Sequence, residues 1–255
     1  MALKLYSIPG SHPAAAARAM LEHKGIAYQR VDMPPVASRV LMRAAGFSGN
    51  RVPALKFDDG RRVQGSRDIS RELDALKPDP PLFPSDPDRR AAVEEAERWG
   101  DEVLQQMPRT ISWWALKRHK SDQVSFLEGA GPGARFGMPP RVAAATSGPI
   151  LRVATRMNDS TDDTVRRTLA DLGPALDRVD RLMEEGVLGG EVPNAADFQI
   201  GASIALLMTF EDVRARIESR PAADLARRLY PWYPGNVQPS FPPEWLEPLR
   251  PAAPA

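Results

Sequence analysis

The stretch GNRVPALKFDDGRRVQGS, residues 49–66, decides how this chain is read. A basic residue precedes Val52-Pro53, a run of strand character leads to Phe57, Asp58-Asp59-Gly60 makes a turn, and a short second strand closes on Gly65-Ser66. An Asp-Gly pair between two such runs is a hairpin signal. The proline is the odd element, because it has no N–H to give to a strand ladder.

Working back from the hairpin, residues 36–45 read as a weak helix. Before them, IAYQRVDM (26–33) reads as a strand. The run PAAAARAMLEHK (13–24) is strongly helix-forming, with Ser11 as its cap and Gly25 just past its end. LKLYSI (3–8) is a strand broken by the turn that follows it. These pieces form a βαβ unit, so its two strands are expected to be parallel with a right-handed crossover. Working forward, SRDISRELDALK is a helix with Ile69, Leu73 and Leu76 on one stripe. The order βαβ, α, ββ, α over residues 1–77 fits a thioredoxin-like α/β fold.

KPDPPLFPSDPDRR is Pro-rich and aperiodic, which reads as a linker over 78–87. The remainder, 88–255, is predicted to be an all-α helical domain, with helices over 86–118, 139–157, 161–186, 194–218 and 221–230. GAGPGARFGMPP (129–140) is expected to be an exposed loop and not a phosphate cradle, since no G-x-x-x-x-G-K sequence occurs. The Pro-rich tail after 231 is expected to wrap the surface.

Composition narrows the chemistry. The 255 residues are 42% apolar, enough for one large core or two smaller ones, and 34 Lys plus Arg against 33 Asp plus Glu leave no global field for nucleic acid or membrane. There is no cysteine, which excludes disulfides, thiolate metal sites and any enzyme using its own thiol. The three histidines, His12, His23 and His119, lack the paired spacing of a metal site, so no metal is expected. With no signal-like start and no apolar run of about 18 residues, a cytoplasmic protein is expected.

The βαβ-α-ββα module, the Pro-rich linker and the helical remainder together resemble the glutathione transferase superfamily. Val52-Pro53 stands where that family has a Val-Pro pair joined by a cis bond, and the resemblance implies that the backbone of Val52 pairs with the cysteinyl unit of glutathione as an added strand would. QGSRDISREL resembles the segment whose Ser, here Ser66, holds the γ-glutamyl carboxylate at a helix N-terminus. Gly65 stands where the family commonly has Glu, Asp or Gln, and Gln64 is a candidate substitute. Ser66 is equally suited to capping its helix. YSIPGSHPAAAARAMLEHKGI resembles the strand-turn-helix that carries the catalytic hydroxyl. Counted back from Gly25-Ile26, Ser11 matches the serine of theta-like and related bacterial classes; Ser7 lies near the tyrosine position of other classes, and Tyr6 reads as a core-facing strand residue. VPNAADFQIGASIALL resembles the capped buried helix of the family's second domain, with Asn194 and Asp197 as the capping pair.

The resemblance implies glutathione as co-substrate, no prosthetic group, a hydrophobic electrophile and a homodimer. Arg51, with Arg39 or Arg43, is a candidate for the glycyl carboxylate. The helical half contributes Trp99, Trp113, Trp114 and Phe136 to the implied second-substrate wall, with Trp113 or Trp114 as the pocket residue. Since the protein has no thiol, sulfur must arrive with a guest; a hydroxyl at Ser11 would then favour its thiolate. Two alternatives stay open: another glutathione-dependent reaction such as isomerisation, ether cleavage or peroxide reduction, or a non-catalytic binding or scaffold protein.

Overall fold

The computed structural model describes residues 3–35, 37–49, 51–135 and 137–249. Strand β1 (Leu3–Ser7) turns into α1 (His12–His23), and β2 (Tyr28–Asp32) returns parallel to β1. Helix α2 (Ser38–Ala44) precedes the hairpin of β3 (Ala54–Lys56) and β4 (Arg62–Gln64), and α3 (Ser66–Leu76) follows. The strand order is β2-β1-β3-β4, with β3 antiparallel to both of its neighbours. The parallel pair needs a crossover, which α1 supplies, while the antiparallel pair closes through a short turn in which Phe57 N–H bonds the Arg61 carbonyl at 2.9 Å.

Alternation along β1 sorts the two faces of the sheet. Leu3 and Leu5 join the main core with residues of α1 and α3, whereas Tyr6 joins Met33, Met42, Phe47 and Ala54 in a smaller cluster that includes α2. On α3 the predicted stripe is shorter than expected. Ile69 and Leu73 are buried, but Leu76 is 51% exposed, because the chain leaves the helix there.

The helical half begins with α4 (Pro87–Trp99), a π-helical turn over Gly100–Leu104, and α5 (Gln106–Arg118). It continues through α6 (Gln123–Leu127), α7 (Pro140–Thr146), α8 (Gly148–Met157), α9 (Asp162–Glu184), α10 (Ala195–Leu207), α11 (Glu211–Ile217) and α12 (Pro221–Leu229). Every residue of α10 is buried, and its start is the expected capping box: Asn194 Oδ1 accepts from the N–H groups of Ala196 and Asp197, and Asp197 Oδ2 accepts from Asn194 N–H. None of the described helices is long and apolar enough to cross a membrane.

Three of the helical stretches expected to be continuous are interrupted, each for a local reason. Pro108 has no N–H for the Leu104 carbonyl, and the wide turn immediately before it bonds Gln105 N–H to Gly100 O instead. Pro149 has no N–H for the Ala145 carbonyl, and α7 ends at Thr146. Phe210 leaves the helix to bridge Val237, which separates α10 from α11.

Three loop segments are more embedded than their composition suggests. The linker is docked: Leu82 and Phe83 are buried, Leu82 O accepts from Ala195 N–H, and the fully buried Lys24 donates to Asp74 (2.9 Å) and to the carbonyls of Lys77 and Pro80. The glycine-rich segment is not free in solvent. Gly131 N–H bonds Asp32 Oδ2 at 2.8 Å and Arg30 bonds Gly129 O, so the segment packs on the end of β2. The tail does more than wrap the surface, since Val237, Phe241, Leu246 and Leu249 enter the core.

Candidate functional site

Strand register brings three turns to one end of the sheet. Tyr6 pairs with Ala54 and Ala54 with Gln64, so the exit of β1, the entrance of β3 and the exit of β4 share an edge. Ser11, Val52-Pro53 and Ser66 all extend from that edge.

The Val52-Pro53 bond is cis, as is Asp79-Pro80. Among the described residues neither the N–H nor the C=O of Val52 has a hydrogen-bond partner, so its backbone is open to a guest just ahead of β3. The loop carrying it is braced from β4. Gln64 Oε1 accepts from Gly49 N–H at 2.9 Å and its Nε2 donates to Arg51 O at 3.1 Å. Both ends of that side chain are committed, so Gln64 does not stand in for the acidic or amide side chain missing at Gly65.

Gly65 is the N-cap of α3 and has φ 97°, a conformation that strains any residue with a β-carbon. Its own N–H bonds Pro53 O at 2.9 Å, tying the two turns together. Ser66 is the first residue of the helix and not its cap, which corrects the capping expectation. It is 2% exposed, and its Oγ has no hydrogen-bond partner among the described residues. With no side chain capping α3, this helix start offers free N–H groups and a buried, unanswered hydroxyl.

Ser11 caps α1 by accepting from Ala14 N–H at 3.4 Å, and its O–H has no acceptor among the described residues. The capping role uses a lone pair and leaves the proton to give. Ser7 shares the burial phase of Leu3 and Leu5 along β1 and points its Oγ to Ile8 O at 3.4 Å. Tyr6 packs edge-on against Phe47, as a core residue. Above the Ser11 turn, Phe126 lies so close to Gly10 that a β-carbon there would meet its ring at 2.8 Å, and Tyr233 donates to Gly10 O at 2.7 Å.

Titratable groups that the sequence did not assign to the site lie nearby on α1, on α3 and in the helical half. His12, next to Ser11, is 3% exposed and donates Nε2–H to the Gln105 carbonyl at 3.2 Å; a carbonyl can only accept. Burial, then the Arg109 guanidinium, hold the His12 pKa down at about 3, so the ring is neutral. Arg67 Nη1 bonds Glu102 at 3.0 Å while its Nε is buried without a partner. Burial raises the pKa of Asp101 against the pull of Arg67, Arg51 and Arg109. Burial and Arg51 lower that of Arg109, which Asp101 opposes. Asp101, Arg67 and Arg109 lie in helices where alternating charges read as a solvated face. Only the π-helical turn, itself unreadable beforehand, distinguishes the segment.

The aromatic wall is partly corrected. Trp114 is buried in another cluster, with Nε1 donating to Asp162 at 2.8 Å and its ring stacked on Phe241 at 4.9 Å, because the tail folds back onto it. Trp113 is partly buried and remains on a different face of α5. Trp99 is buried beneath the Arg178 guanidinium, and Phe136 lies outside the described residues. Arg39 and Arg43 are exposed on α2, and Arg51 is exposed beside Val52. A groove of about 660 Å³ lined by Gly46, Phe47, Arg62, Asp68 and Arg71 among others includes none of Ser11, Val52 or Ser66. The buried, unanswered hydroxyl of Ser66 and the open backbone of Val52 lie instead at the sheet edge, and those define the candidate site.

Residues 5–81 match the family model described as glutathione S-transferase, N-terminal domain. Similar folds include a glutathione S-transferase from Rhodospirillum rubrum F11, 18% identical over 96% of this chain and 99% of its own, with a TM-score of 0.60. A glutathione S-transferase from Methylobacterium radiotolerans JCM 2831, in complex with glutathione sulfonate, covers 99% and 97% at 20% identity and a TM-score of 0.54. The beta-etherase LigF from Sphingobium sp. strain SYK-6 covers 91% and 99% at 21% identity and a TM-score of 0.59. No curated protein matches the chain. The architecture is thus a thioredoxin-like α/β part followed by a helical part, the glutathione S-transferase fold. Residues 5–81 thus resemble the amino-terminal domain of that family in sequence, and the likeness to the solved structures is one of fold.

Proposed function

We propose that the protein binds glutathione at the sheet edge and activates its thiol for attack on a small electrophile. The observation that carries this reading is the uncapped start of α3, where the buried Ser66 Oγ lacks a partner beside the unpaired backbone of Val52. A carboxylate answers the first group and the helix N-terminus, and an extended peptide answers the second. The bound glutathione and glutathione sulfonate of two structural neighbours support the same ligand. In this reading Arg51 faces the glycyl carboxylate.

Ser11 donates its free O–H to the sulfur, and the start of α1 adds a positive end. Each pKa unit by which the thiol is depressed corresponds to about 1.4 kcal/mol of thiolate stabilisation. The thiol proton passes to solvent, the sulfur forms a bond to an electrophilic carbon, and the leaving group departs with its bonding pair. A cytoplasmic homodimer belongs to the same reading.

Calorimetric titration with glutathione tests it. Ser66→Ala is expected to weaken binding by about 10- to 100-fold, the worth of a hydrogen bond to a charged group. Ser11→Ala is expected to retain binding and to lower conjugation while raising the pH midpoint of kcat/KM. Absence of glutathione binding by the wild type supports the scaffold alternative instead, and unchanged turnover by Ser11→Ala removes Ser11 from the chemistry.

A further inference from the structure

We infer that Arg109 on α5 is a recognition point for an acidic group on the second substrate, so that the site prefers electrophiles bearing a carboxylate; this rests on the glutathione reading above. The apolar electrophile implied by resemblance is thereby replaced by an anionic one.

The placement follows from a shared carbonyl. Gln105 caps α5, and its C=O receives His12 Nε2–H at 3.2 Å. In helical geometry the same carbonyl faces the backbone N–H of the residue four positions on, which is Arg109. Arg109 therefore stands beside His12, whose chain neighbour Ser11 is the residue that the proposed reading sets against the sulfur. It is partly buried, its Nη1 bonds Gln106 Oε1 at 2.8 Å, and no carboxylate of the described residues lies within ion-pair reach.

Charge around it is unbalanced. Arg51 also has no ion pair among the described residues and acts against Arg109. Asp101 is the acid that acts on both. The neighbouring acids are engaged elsewhere, Glu102 with Arg67 and Arg98 and Glu97 with Ser70 and Arg71. Asp101 thus answers Arg51 and Arg109 together with Arg67, and a partly desolvated cation without its own counter-ion favours an anionic guest. The α3 start and Arg51 account for the two carboxylates of glutathione. Arg109 is left for the molecule that meets the sulfur, and a guanidinium pairs with a carboxylate in a planar fork. One turn further along the same stripe is Trp113, partly buried, which suits an aryl ring.

Two aryl chlorides decide the matter: 4-chloro-3-nitrobenzoate and its neutral amide, each rate divided by the uncatalysed rate with glutathione. In both, the thiolate sulfur bonds the ring carbon that carries chlorine, chloride leaves with the bonding pair, and the thiol proton goes to solvent. The wild type is expected to favour the benzoate about tenfold or more in kcat/KM, chiefly through KM. Arg109→Gln is expected to cut that preference about tenfold, and Arg109→Lys to restore most of it. An unchanged preference overturns the inference. Equal losses for both substrates with a raised pH midpoint also overturn it, since Arg109 would then act on the thiolate. Should neither substrate turn over, the glutathione reading fails on its own terms, and binding of the benzoate without thiol, followed by tryptophan fluorescence, still decides: weaker binding by Arg109→Gln supports the inference and equal binding overturns it.

Discussion

Acidification is expected to weaken the junction between α1 and α5 through a single ring, His12. The imidazole is buried and donates to the Gln105 carbonyl, with Arg109 nearby, and its folded pKa lies at about 3 against about 6.5 for an unfolded histidine. Because the folded value is depressed, the contribution to stability is complete above about 6.5 and is lost as pH falls below that value, where the unfolded chain takes up a proton that the folded one refuses. Integrated from about pH 7.5 to about pH 5, this amounts to about 2 kcal/mol, and it barely depends on the folded pKa so long as that stays below about 4. Buried carboxyl groups work in the opposite direction. Glu97, Asp101 and Asp197 have raised folded pKa values, so acid favours their folded forms. They are common to wild type and variant, so a difference measurement removes them. His12→Gln keeps an N–H donor for Gln105 and cannot titrate. Urea unfolding of both proteins at the two pH values is expected to show the wild type losing about 2 kcal/mol more than the variant on acidification. Parallel losses would refute a neutral, buried His12 as the acid-sensitive element.

Two further substitutions test the frame around the site. Lys24→Met is expected to lower stability by about 3–5 kcal/mol, since it strips a buried ammonium from Asp74 and from the carbonyls of Lys77 and Pro80, and chemical denaturation reads it directly. Asn194→Ala removes the oxygen that receives Ala196 and Asp197 N–H at the start of α10; a loss of about 0.5–2 kcal/mol is expected in the same assay, with glutathione affinity retained.

Much of the frame was legible before folding because it is written in local signals. The helix-forming run after Ser11 and Gly25 beyond it bound α1, Asp58-Asp59-Gly60 turns the hairpin, and Asn194 with Asp197 opens the buried helix. Each depends on residues within a turn or two of one another, so the amino-acid order alone determines them. The same holds for chemistry excluded by composition, as a chain without cysteine cannot offer a thiol. What only tertiary structure decided is which polar groups are left unanswered. Sequence cannot say that Gln64 spends both ends on the loop of Gly49 and Arg51, that Ser66 is buried without a partner, or that the tail returns to cover Trp114. Nor does it reveal that a π-helical turn before Pro108 sets Gln105 against His12, with Arg109 close by, for those partners are some ninety residues apart and meet only when α1 and α5 pack together. Burial and long-range pairing fix the charge state and free bonding capacity of a side chain, and those two properties define the site.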